Sequence, residues 1–283
     1  MTSETAHRKG SDLDKQLRRL EKRLEKSDLR RVELEDLMDA SHAFQRRVIA
    51  DIEDQKSQIE QLYKSLEAEK DRTEQLLRSI MPEAIAEELK ANGKVRPRHI
   101  SSATVMFTDF VDFTKSTEQM NPIDLVRMLD RYYGAFDEIV AKHGVEKVKT
   151  IGDAYMTVAG DLNGAGHLDH VAATCAAATE IMAYVQHNLD YTAQDEVAGW
   201  GLRIGIHTGP ISSGVVGTKT LSFDIWGDTV NTAARMVSAC DENTVLLSAD
   251  TAALVKPRER VVERGDIEAK GKGTLQVYRL LTP

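Results

Sequence analysis

An apolar run that ends in carboxylates reads Val105-Met-Phe-Thr-Asp109-Phe-Val-Asp-Phe-Thr114, and a second one further along reads Lys149-Thr-Ile-Gly-Asp153-Ala-Tyr-Met156. In both, a segment of strand character ends at a turn that carries one carboxylate. Asp109 and Asp153 should therefore lie at the ends of strands, at an edge of the sheet, rather than within it. Two carboxylates so placed can hold a divalent metal against phosphate, although an Asp that closes a strand is more often only a turn residue.

The composition is that of a protein with a genuine core, at 283 residues, 41% hydrophobic and 29% charged. The length suits one domain with an appendage, or two small domains. No apolar run reaches the roughly 18 residues that span a bilayer, so we expect a cytoplasmic protein without a membrane span. Cys175 and Cys240 are far from other Cys or His at ligand spacing, which favours buried structural thiols.

The net charge of −8 is unevenly distributed. Residues 1–80 carry 17 Lys and Arg against 18 Asp and Glu, so 20 basic and 27 acidic groups of the chain's 37 and 45 lie in residues 81–283. A domain this acidic is a poor nucleic-acid binder, and we expect no nucleic-acid partner. Polyphosphate binding would need metal ions and a few well-placed basic side chains.

The apolar residues from Leu13 onward fall on one seven-residue frame, which continues for about ten heptads to Ile80. Its flanks are rich in Glu, Lys and Arg, as in a coiled coil. We predict a disordered N-terminus at 1–10 and a coiled-coil helix over 11–81, roughly 100 Å long. Because an isolated helix would expose this seam, a parallel homodimer is expected.

Polar residues weaken the middle of the seam, namely Ser27, Arg31, Ser41, Gln45 and Gln55. We expect a register change, a helix break or extra helix contacts between about residues 27 and 45. The coil is then either a passive dimerisation rod or a switch between two registers of similar energy.

Pro82 ends the seam, because proline fits the first turn of a helix but not its interior. A short helix should start there, pass through Ile85 and Leu89, and stop at Asn92-Gly93. Residues 82–100 are thus predicted as a joint that leads to a globular domain at 101–283.

Strand and helix signals alternate through the globular domain. The predicted strands are 103–110, 145–151, 154–159, 202–207, 213–217, 223–226, 245–247, 260–268 and 275–281, and the predicted helices are 121–142, 168–189 and one that Asp228-Thr229 can cap. This order predicts an α+β fold of ferredoxin-like split βαβ type, with an antiparallel-rich sheet and helices on one face. The glycines match no Walker A or Gly-x-Gly-x-x-Gly loop, which argues against kinase-like and dinucleotide-binding sites.

Five segments occur in an order typical of one family. They read Phe107-Thr-Asp109-Phe-Val-Asp-Phe-Thr114, Lys149-Thr-Ile-Gly-Asp153-Ala-Tyr-Met156, Arg203-Ile-Gly-Ile-His-Thr-Gly-Pro210, Phe223-Asp224-Ile-Trp-Gly-Asp-Thr-Val-Asn231-Thr-Ala-Ala-Arg235-Met236 and Lys270-Gly-Lys-Gly273. Together they resemble the class III nucleotidyl cyclases. The segment Leu76 to Gly93 also resembles the transducer element that often precedes this domain.

The resemblance implies a two-metal active site. Asp109, Asp153 and the main-chain carbonyl of Phe110 would hold two Mg²⁺ or Mn²⁺ ions. Asn231 would orient the ribose of the nucleotide, and Arg235 would meet the charge that builds on its α-phosphate.

The resemblance also assigns the phosphate contacts. Lys270 would contact the terminal phosphates, and the turn of Val111, Asp112, Phe113 and Thr114 would cradle phosphates with its amides. Asp112 departs from the family pattern, because many members have a glycine there. A carboxylate at this point could repel ATP unless it points outward or touches metal.

Lys149 and Asp224 stand where the family reads the base. A Lys can donate to adenine N1 and an Asp can accept from the N6 amine, whereas guanine presents the opposite polarity and is typically read by Glu and Cys. The pair predicts ATP.

The family builds each active site from two subunits, with metal carboxylates from one and the base pair, Asn and Arg from the other. We therefore expect a homodimeric adenylate cyclase that makes 3′,5′-cyclic AMP and pyrophosphate, regulated through the coil by a sensor domain or a partner. The alternatives are a guanylate or mixed-specificity cyclase, and a signalling scaffold with weak catalysis.

Overall fold

The computed structural model describes residues 3–162, 169–192, 199–218, 220–255, 260–269 and 272–282. The chain divides into two compact units, Met1–Thr73 and Glu74–Pro283. The first unit is helix α1 (Ser3–Arg78), whose last residues belong to the second. The helix starts within the segment that the sequence predicts to be disordered.

Helix α1 is continuous, so a helix break between residues 27 and 45 is ruled out, and a register change or extra contacts remain open. Its seam side chains are exposed in the single chain, including Leu24 at 66%, Leu62 at 68% and Leu66 at 67%. Large apolar side chains repeated at this spacing are normally covered by a second helix. Pairing of two coils therefore stays our prediction.

The second unit contains six further helices and eight strands among its described residues. They are α2 (Glu83–Asn92), β1 (Arg98–Phe110), α3 (Phe113–Gln119), α4 (Pro122–Lys142), β2 (Glu146–Ile151), β3 (Ala154–Gly160), α5 (His170–Thr192), β4 (Leu202–Val216), β5 (Ser222–Trp226), α6 (Asp228–Ser238), β6 (Thr244–Ser248), α7 (Ala249–Leu254), β7 (Val261–Ala269) and β8 (Gly273–Leu280).

The strands form one sheet in the order β2-β3-β1-β4-β6-β8-β7, and β5 pairs with β4. Among the strands of the described residues, only β4 and β6 pair in parallel, while the other pairs are antiparallel. The predicted α+β fold with an antiparallel-rich sheet is confirmed. The two strands expected at 202–207 and 213–217 are a single strand, because Pro210 lies opposite a bulge in β1 between Ile100 and Ala103, where its missing N–H costs no ladder hydrogen bond.

Helices cover both faces of the sheet, so the expectation of helices on one face is wrong. One face packs on α4 and α5 through a cluster that includes Met106, Phe136 and Ile181. The other face packs on α2 and α6, with Ile85 and Val237 in the same cluster as Val105. A strand alternates its side chains between faces, and the apolar residues of β1 on both faces could have signalled this arrangement.

Helix α2 confirms the short helix predicted after Pro82. It ends at Gly93, whose φ of 67° is the left-handed conformation that glycine adopts without strain. Ile85 is 1% exposed, and Glu88 contacts Arg98 of β1 at 2.5 Å. The segment predicted as a joint is thus packed against the sheet.

Two further expectations can be compared with the structure. Cys175 and Cys240 are buried free thiols, as predicted. Within the described ranges, none of the helices combines the length and apolar character needed to cross a membrane.

Candidate active site

The two carboxylates of the opening motifs lie together. Asp109 is the penultimate residue of β1, and Asp153 follows Gly152 in the tight turn between β2 and β3. Because β1 and β3 pair from Ala103↔Gly160 to Thr108↔Tyr155, the strand end and the turn meet at one edge. Burial raises the pKa of Asp109, and the charge of Asp153 and a hydrogen bond between the two carboxyl groups raise it further.

Arg203 is a site residue that the sequence analysis missed. It is the cross-strand partner of Asp109 on β4, and its charge lowers the pKa of Asp109 in opposition to burial and Asp153. Its Nε is buried and has no hydrogen-bond partner within the described part of the chain. A partly buried guanidinium beside two carboxylates, whose Nε–H has no partner among the described residues, is suited to an anionic ligand that also carries metal. Arg203 could have been assigned to the site only if the register of β4 against β1 had been known.

Tyr133 of α4 supports the carboxylate turn from behind. Its hydroxyl lies 3.4 Å from the carbonyl oxygen of Gly152, to which it donates. Burial raises the pKa of Tyr133, and the nearby charges of Asp153 and Asp109 raise it further. The phenol therefore stays protonated and can only donate to this carbonyl. No local sequence pattern connects α4 with this turn.

Phe110 fixes the strand end from the core. Its ring is 2% exposed and lies 5.1 Å from the ring of Trp200 and 5.2 Å from that of Tyr132. The next amide, of Val111, donates to the carbonyl of Gly201 at 2.9 Å. The main chain at Phe110, which the resemblance names as a metal ligand, is thus held in place by packing.

These oxygens fit a divalent cation. Mg²⁺ and Mn²⁺ prefer carboxylate and carbonyl oxygens, and two carboxyl groups that raise each other's proton affinity are relieved by a cation between them. Across the described residues, no group of three or more His, Cys, Asp or Glu side chains could hold a metal ion. A metal at Asp109 and Asp153 would therefore also use main-chain oxygen, water or substrate phosphate.

Lys149 and Asp224 also meet, although 75 residues separate them. Lys149 Nζ on β2 donates to Asp224 Oδ2 on β5 at 2.6 Å, and the amide of Ile225 donates to Oδ1 at 2.9 Å. Both side chains are partly buried, at 38% and 17% exposure. The pair therefore offers a nucleobase one cationic donor and one anionic acceptor side by side.

Helix α6 carries the other two predicted catalytic residues one turn apart. Asn231 is exposed, and Arg235 is half-buried with an Nε that has no partner among the described residues. Two glycines of β4 let the helix lie directly on the strand. A Cβ on Gly205 would be 2.2 Å from the amide nitrogen of Val237, and one on Gly209 would be 2.7 Å from Thr229 Oγ1. The residue before the helix, at the N-cap, is Gly227, and no side chain caps the helix there, so the expected cap at Asp228-Thr229 is wrong.

The turn after β1 holds the remaining predicted residues. Val111 and Asp112 form the turn, and Phe113 and Thr114 begin the seven-residue helix α3. Asp112 has a φ of 53°, the left-handed conformation in which the family's glycine would be unstrained. Its carboxylate points outward, at 64% exposure, and pairs with Lys115 at 2.9 Å.

Replacing Asp112 with Asn should have little effect on either stability or nucleotide binding. Asn tolerates the left-handed conformation, and the exposed ion pair that is lost contributes little, so we expect the free energy of unfolding to change by less than ~0.5 kcal/mol. Steady-state kinetics should give a KM for the nucleoside triphosphate within about twofold of wild type, because the carboxylate already points outward. A KM that falls tenfold would show instead that Asp112 repels the triphosphate.

Lys270 lies outside the described residues. Its neighbour Lys272 forms an ion pair with Asp228 at the start of α6.

Comparisons with known proteins show the family to which the chain is related. A family model described as the adenylate and guanylate cyclase catalytic domain matches residues 95–282, and a model described as heme NO binding associated matches residues 35–89. An adenylate cyclase of Mycobacterium bovis is 39% identical over 217 residues, which is 76% of this chain and 48% of the relative. The human guanylate cyclase soluble subunit beta-2 is 38% identical over 233 residues, which is 81% of this chain and 37% of the relative.

A solved structure shows the same fold. The guanylate cyclase domain from Catenaria anguillulae, in complex with GTP, superposes with a TM-score of 0.59 at 31% identity, covering 65% of this chain and 98% of that domain. The chain spans about half the length, or less, of the curated relatives that it matches. The family model covers well over half of this chain, and the chain therefore belongs to the adenylate and guanylate cyclase catalytic-domain family.

Proposed function

We propose that the chain is an adenylate cyclase that converts ATP to 3′,5′-cyclic AMP and pyrophosphate at the interface of a homodimer. The observation that carries the choice of ATP is the contact of Lys149 Nζ with Asp224 Oδ2 at 2.6 Å. The family relatives include both adenylate and guanylate cyclases, so the base must be chosen from these side chains.

The pair matches adenine and opposes guanine. Lys149 can donate to N1 of adenine while Asp224 accepts from the N6 amine. Guanine presents a carbonyl oxygen and an N–H at these positions, so Asp224 would face O6 and Lys149 would face a donor. Buried groups left without partners are the strongest basis for discrimination between bases.

The metal ions would bind at the edge of the sheet where Asp109 and Asp153 lie. Asp109, Asp153 and the main-chain carbonyl of Phe110 would bind two Mg²⁺ or Mn²⁺ ions, which when bound lower the pKa of the ribose 3′-hydroxyl and neutralise charge on the triphosphate. Arg203 would add a fixed positive charge to the same edge, and Tyr133 would keep the Asp153 turn in position.

The remaining residues would orient the nucleotide and stabilise its charge. Asn231 would hold the ribose so that the 3′-hydroxyl faces the α-phosphorus, which is the proximity part of catalysis. Arg235, with its unpartnered Nε, would donate to the α-phosphate as negative charge builds there. Lys270 and the main-chain amides of residues 111–114 would bind the remaining phosphates.

The N-terminal segment would hold the two subunits together and transmit a regulatory signal to the catalytic domains. The exposed seam of α1 supports a parallel pair of helices, and the match of residues 35–89 to a heme NO binding associated model supports an upstream sensor or a regulatory partner. We propose the division into a coil at 11–81, a transducer joint at 82–100 and a catalytic domain at 101–283.

Exchanging the base-reading pair should change the substrate. With Lys149→Glu and Asp224→Cys together, we expect the ratio of kcat/KM for GTP to that for ATP to rise about 100-fold, because the new side chains match O6 and N1–H of guanine. Cyclic product is measured with each nucleotide in Mg²⁺ and in Mn²⁺.

The matched control is the double variant Lys149→Ala, Asp224→Ala, which should lose ATP use without gaining GTP use. An unchanged ratio in the Glu/Cys variant would contradict the assignment of the pair. Wild-type protein that prefers GTP would favour the alternative of a guanylate or mixed-specificity cyclase, and protein inactive with both would favour a signalling scaffold.

A further inference from the structure

Outside the candidate active site, a chain of buried hydroxyl groups joins two histidines. We call it the hydroxyl chain, and it consists of Ser248, Thr251, Thr208 and Thr104, each no more than 6% exposed. The successive contacts are His207 Nδ1 to Ser248 Oγ at 2.7 Å, Ser248 to Thr251 at 3.1 Å, Thr251 to Thr208 at 3.1 Å, Thr208 to Thr104 at 3.0 Å, and Thr104 to His170 Nδ1 at 2.7 Å.

Counting hydrogens shows that the two imidazole rings depend on each other. The chain has five hydrogen bonds, and its four hydroxyl groups supply one hydrogen each. The fifth hydrogen must come from a ring nitrogen. One histidine must therefore donate from Nδ1 while the other accepts at Nδ1. If both rings donated from Nδ1, six hydrogens would be present for five contacts, and one contact would contain two hydrogens.

The geometry indicates which ring donates. The hydroxyl of Thr251 donates to Thr208, so Ser248 must donate to Thr251, and the contact of Ser248 with His207 must use a hydrogen on Nδ1 of that ring. In the other direction, Thr208 donates to Thr104, which donates to His170 Nδ1. His170 then carries its hydrogen on Nε2, 3.3 Å from Ser102 Oγ.

The second ring nitrogen of His207, Nε2, lies on the face of β4 against which α6 packs. His207 lies between Gly205 and Gly209 on β4, and the alternation of a strand puts all three on the face where α6 packs. A Cβ on Gly209 would be 3.5 Å from Nε2 of His207 and 2.7 Å from Thr229 Oγ1 in the first turn of α6. The protonation of Nε2 therefore sets whether a donor or an acceptor faces the helix that carries Asn231 and Arg235.

We infer that His207 is a positioning residue for α6 and that protonation of His170 reverses the hydroxyl chain, so that the hydrogen of His207 moves from Nδ1 to Nε2. A charged His170 must donate from Nδ1, so each hydroxyl must turn and Ser248 must donate to His207. The protons balance with one taken from solvent. His207 gains a proton at Nε2, and the proton on its Nδ1 is handed along the hydroxyl chain to Nδ1 of His170.

The difference in exposure favours His170 as the ring that charges first. Burial lowers the pKa of His170, and Asp169 beside it raises it. Burial also lowers the pKa of His207, Asp250 of α7 and Asp228 of α6 raise it, and Lys272 lowers it. His207 is only 8% exposed, whereas His170 lies nearer the surface, so charge is less costly at His170.

The test is nitrogen NMR of the full chain labelled with ¹⁵N at its eight histidines, with His170→Gln and His207→Gln used to assign the signals. At about pH 8 we expect His207 with hydrogen on Nδ1 and His170 with hydrogen on Nε2. As the pH is lowered until the signals of His170 show that it has become charged, the preference of His207 should shift at least about tenfold toward hydrogen on Nε2.

Thr104→Val removes one hydroxyl at nearly constant volume and should abolish the change at His207, whereas the matched control Thr104→Ser should keep it. If Thr104→Val fails to fold, Thr251→Val interrupts the same chain. A His207 that carries hydrogen on Nε2 at pH 8, or that changes equally in the valine variants, would overturn the inference.

The effect on catalysis rests on the proposed function, whereas the coupling of the two rings does not. Wild-type kcat should show an inflection below about pH 6.5 that Thr104→Val lacks and Thr104→Ser retains. Coupled rings with the same kcat profile in all three proteins would overturn the positioning role of His207. Absence of cyclase activity at every pH, with the NMR result intact, would count against the proposed function instead.

Discussion

Asp109→Asn is expected to reduce cyclase turnover about a thousandfold while making the metal-free protein more stable to heat. The loss follows from removing one of two carboxylates proposed to hold the metal ions, whose charge stabilisation is the largest part of such catalysis. The gain follows from the charge that the substitution removes. Asp109 is half-buried and faces Asp153, so its ionised form is unfavourable in the fold when no cation is present.

The pH dependence has a definite sign. Burial first, and then Asp153, raise the pKa of Asp109 in the folded protein, in opposition to Arg203. A carboxyl group whose pKa is raised by folding binds its proton more tightly when folded, so it adds stability as the pH falls through that raised pKa and removes stability as the pH rises. Asn mimics the neutral form at every pH and should flatten this part of the stability profile.

The measurements are kcat with Mg²⁺ or Mn²⁺ and Tm in the presence of a chelator at several pH values. Asp112→Asn is the matched control, because it makes the same chemical change three residues away at an exposed carboxylate. Turnover within tenfold of wild type would contradict the metal role of Asp109, and a lower Tm at neutral pH would contradict its unfavourable charge.

Mixing two inactive proteins is expected to restore activity. Asp109→Ala lacks the metal carboxylate and Arg235→Ala lacks the proposed α-phosphate contact, and in a shared-site dimer each chain supplies what the other lacks. After mixing in equal amounts, about half of the dimers are mixed and each has one intact site, so about a quarter of wild-type activity should return.

The arrangement of the single chain motivates this experiment. In the part of the chain that the structure describes, Asp109 and Asp153 form one cluster with Arg203, and Lys149 and Asp224 form another, without a hydrogen bond or ion pair between the two clusters. The control mixture is Asp109→Ala with Asp153→Ala. Both defects are then in the same half of the site, so no rescue is expected. Absence of rescue in the first mixture would contradict the shared site.

Local patterns predicted the parts of the structure that depend on nearby residues. Apolar periodicity and the backbone preferences of Pro and Gly predicted the strand that ends just after Asp109, the hairpin turn at Asp153 and the helix between Pro82 and Gly93. Each of these signals lies within a few residues of the feature it predicts.

Features that depend on strand pairing were harder to predict. Arg203 belongs to the site only because β4 pairs with β1 in one particular register, and Tyr133 only because α4 crosses behind the β2–β3 turn. The contact of Lys149 with Asp224 came from a family resemblance, since nothing near either residue indicates the other. We did not predict that helices cover both faces of the sheet, because the apolar residues of a strand do not show which helix packs on them.

The packing of α2 determines how a displacement at the domain entrance can travel. Met81 and Ile85 share one apolar cluster with Ala233 and Val237 of α6, the helix that presents Asn231 and Arg235. Close-packed interiors yield little to compression and pass strain on to their neighbours. Residues 81–92 at the start of this domain are therefore packed against their neighbours and do not form a flexible linker. A small rotation of α2 would be passed through this apolar cluster to the helix that carries Asn231 and Arg235, so the regulation that we propose would not require a large movement.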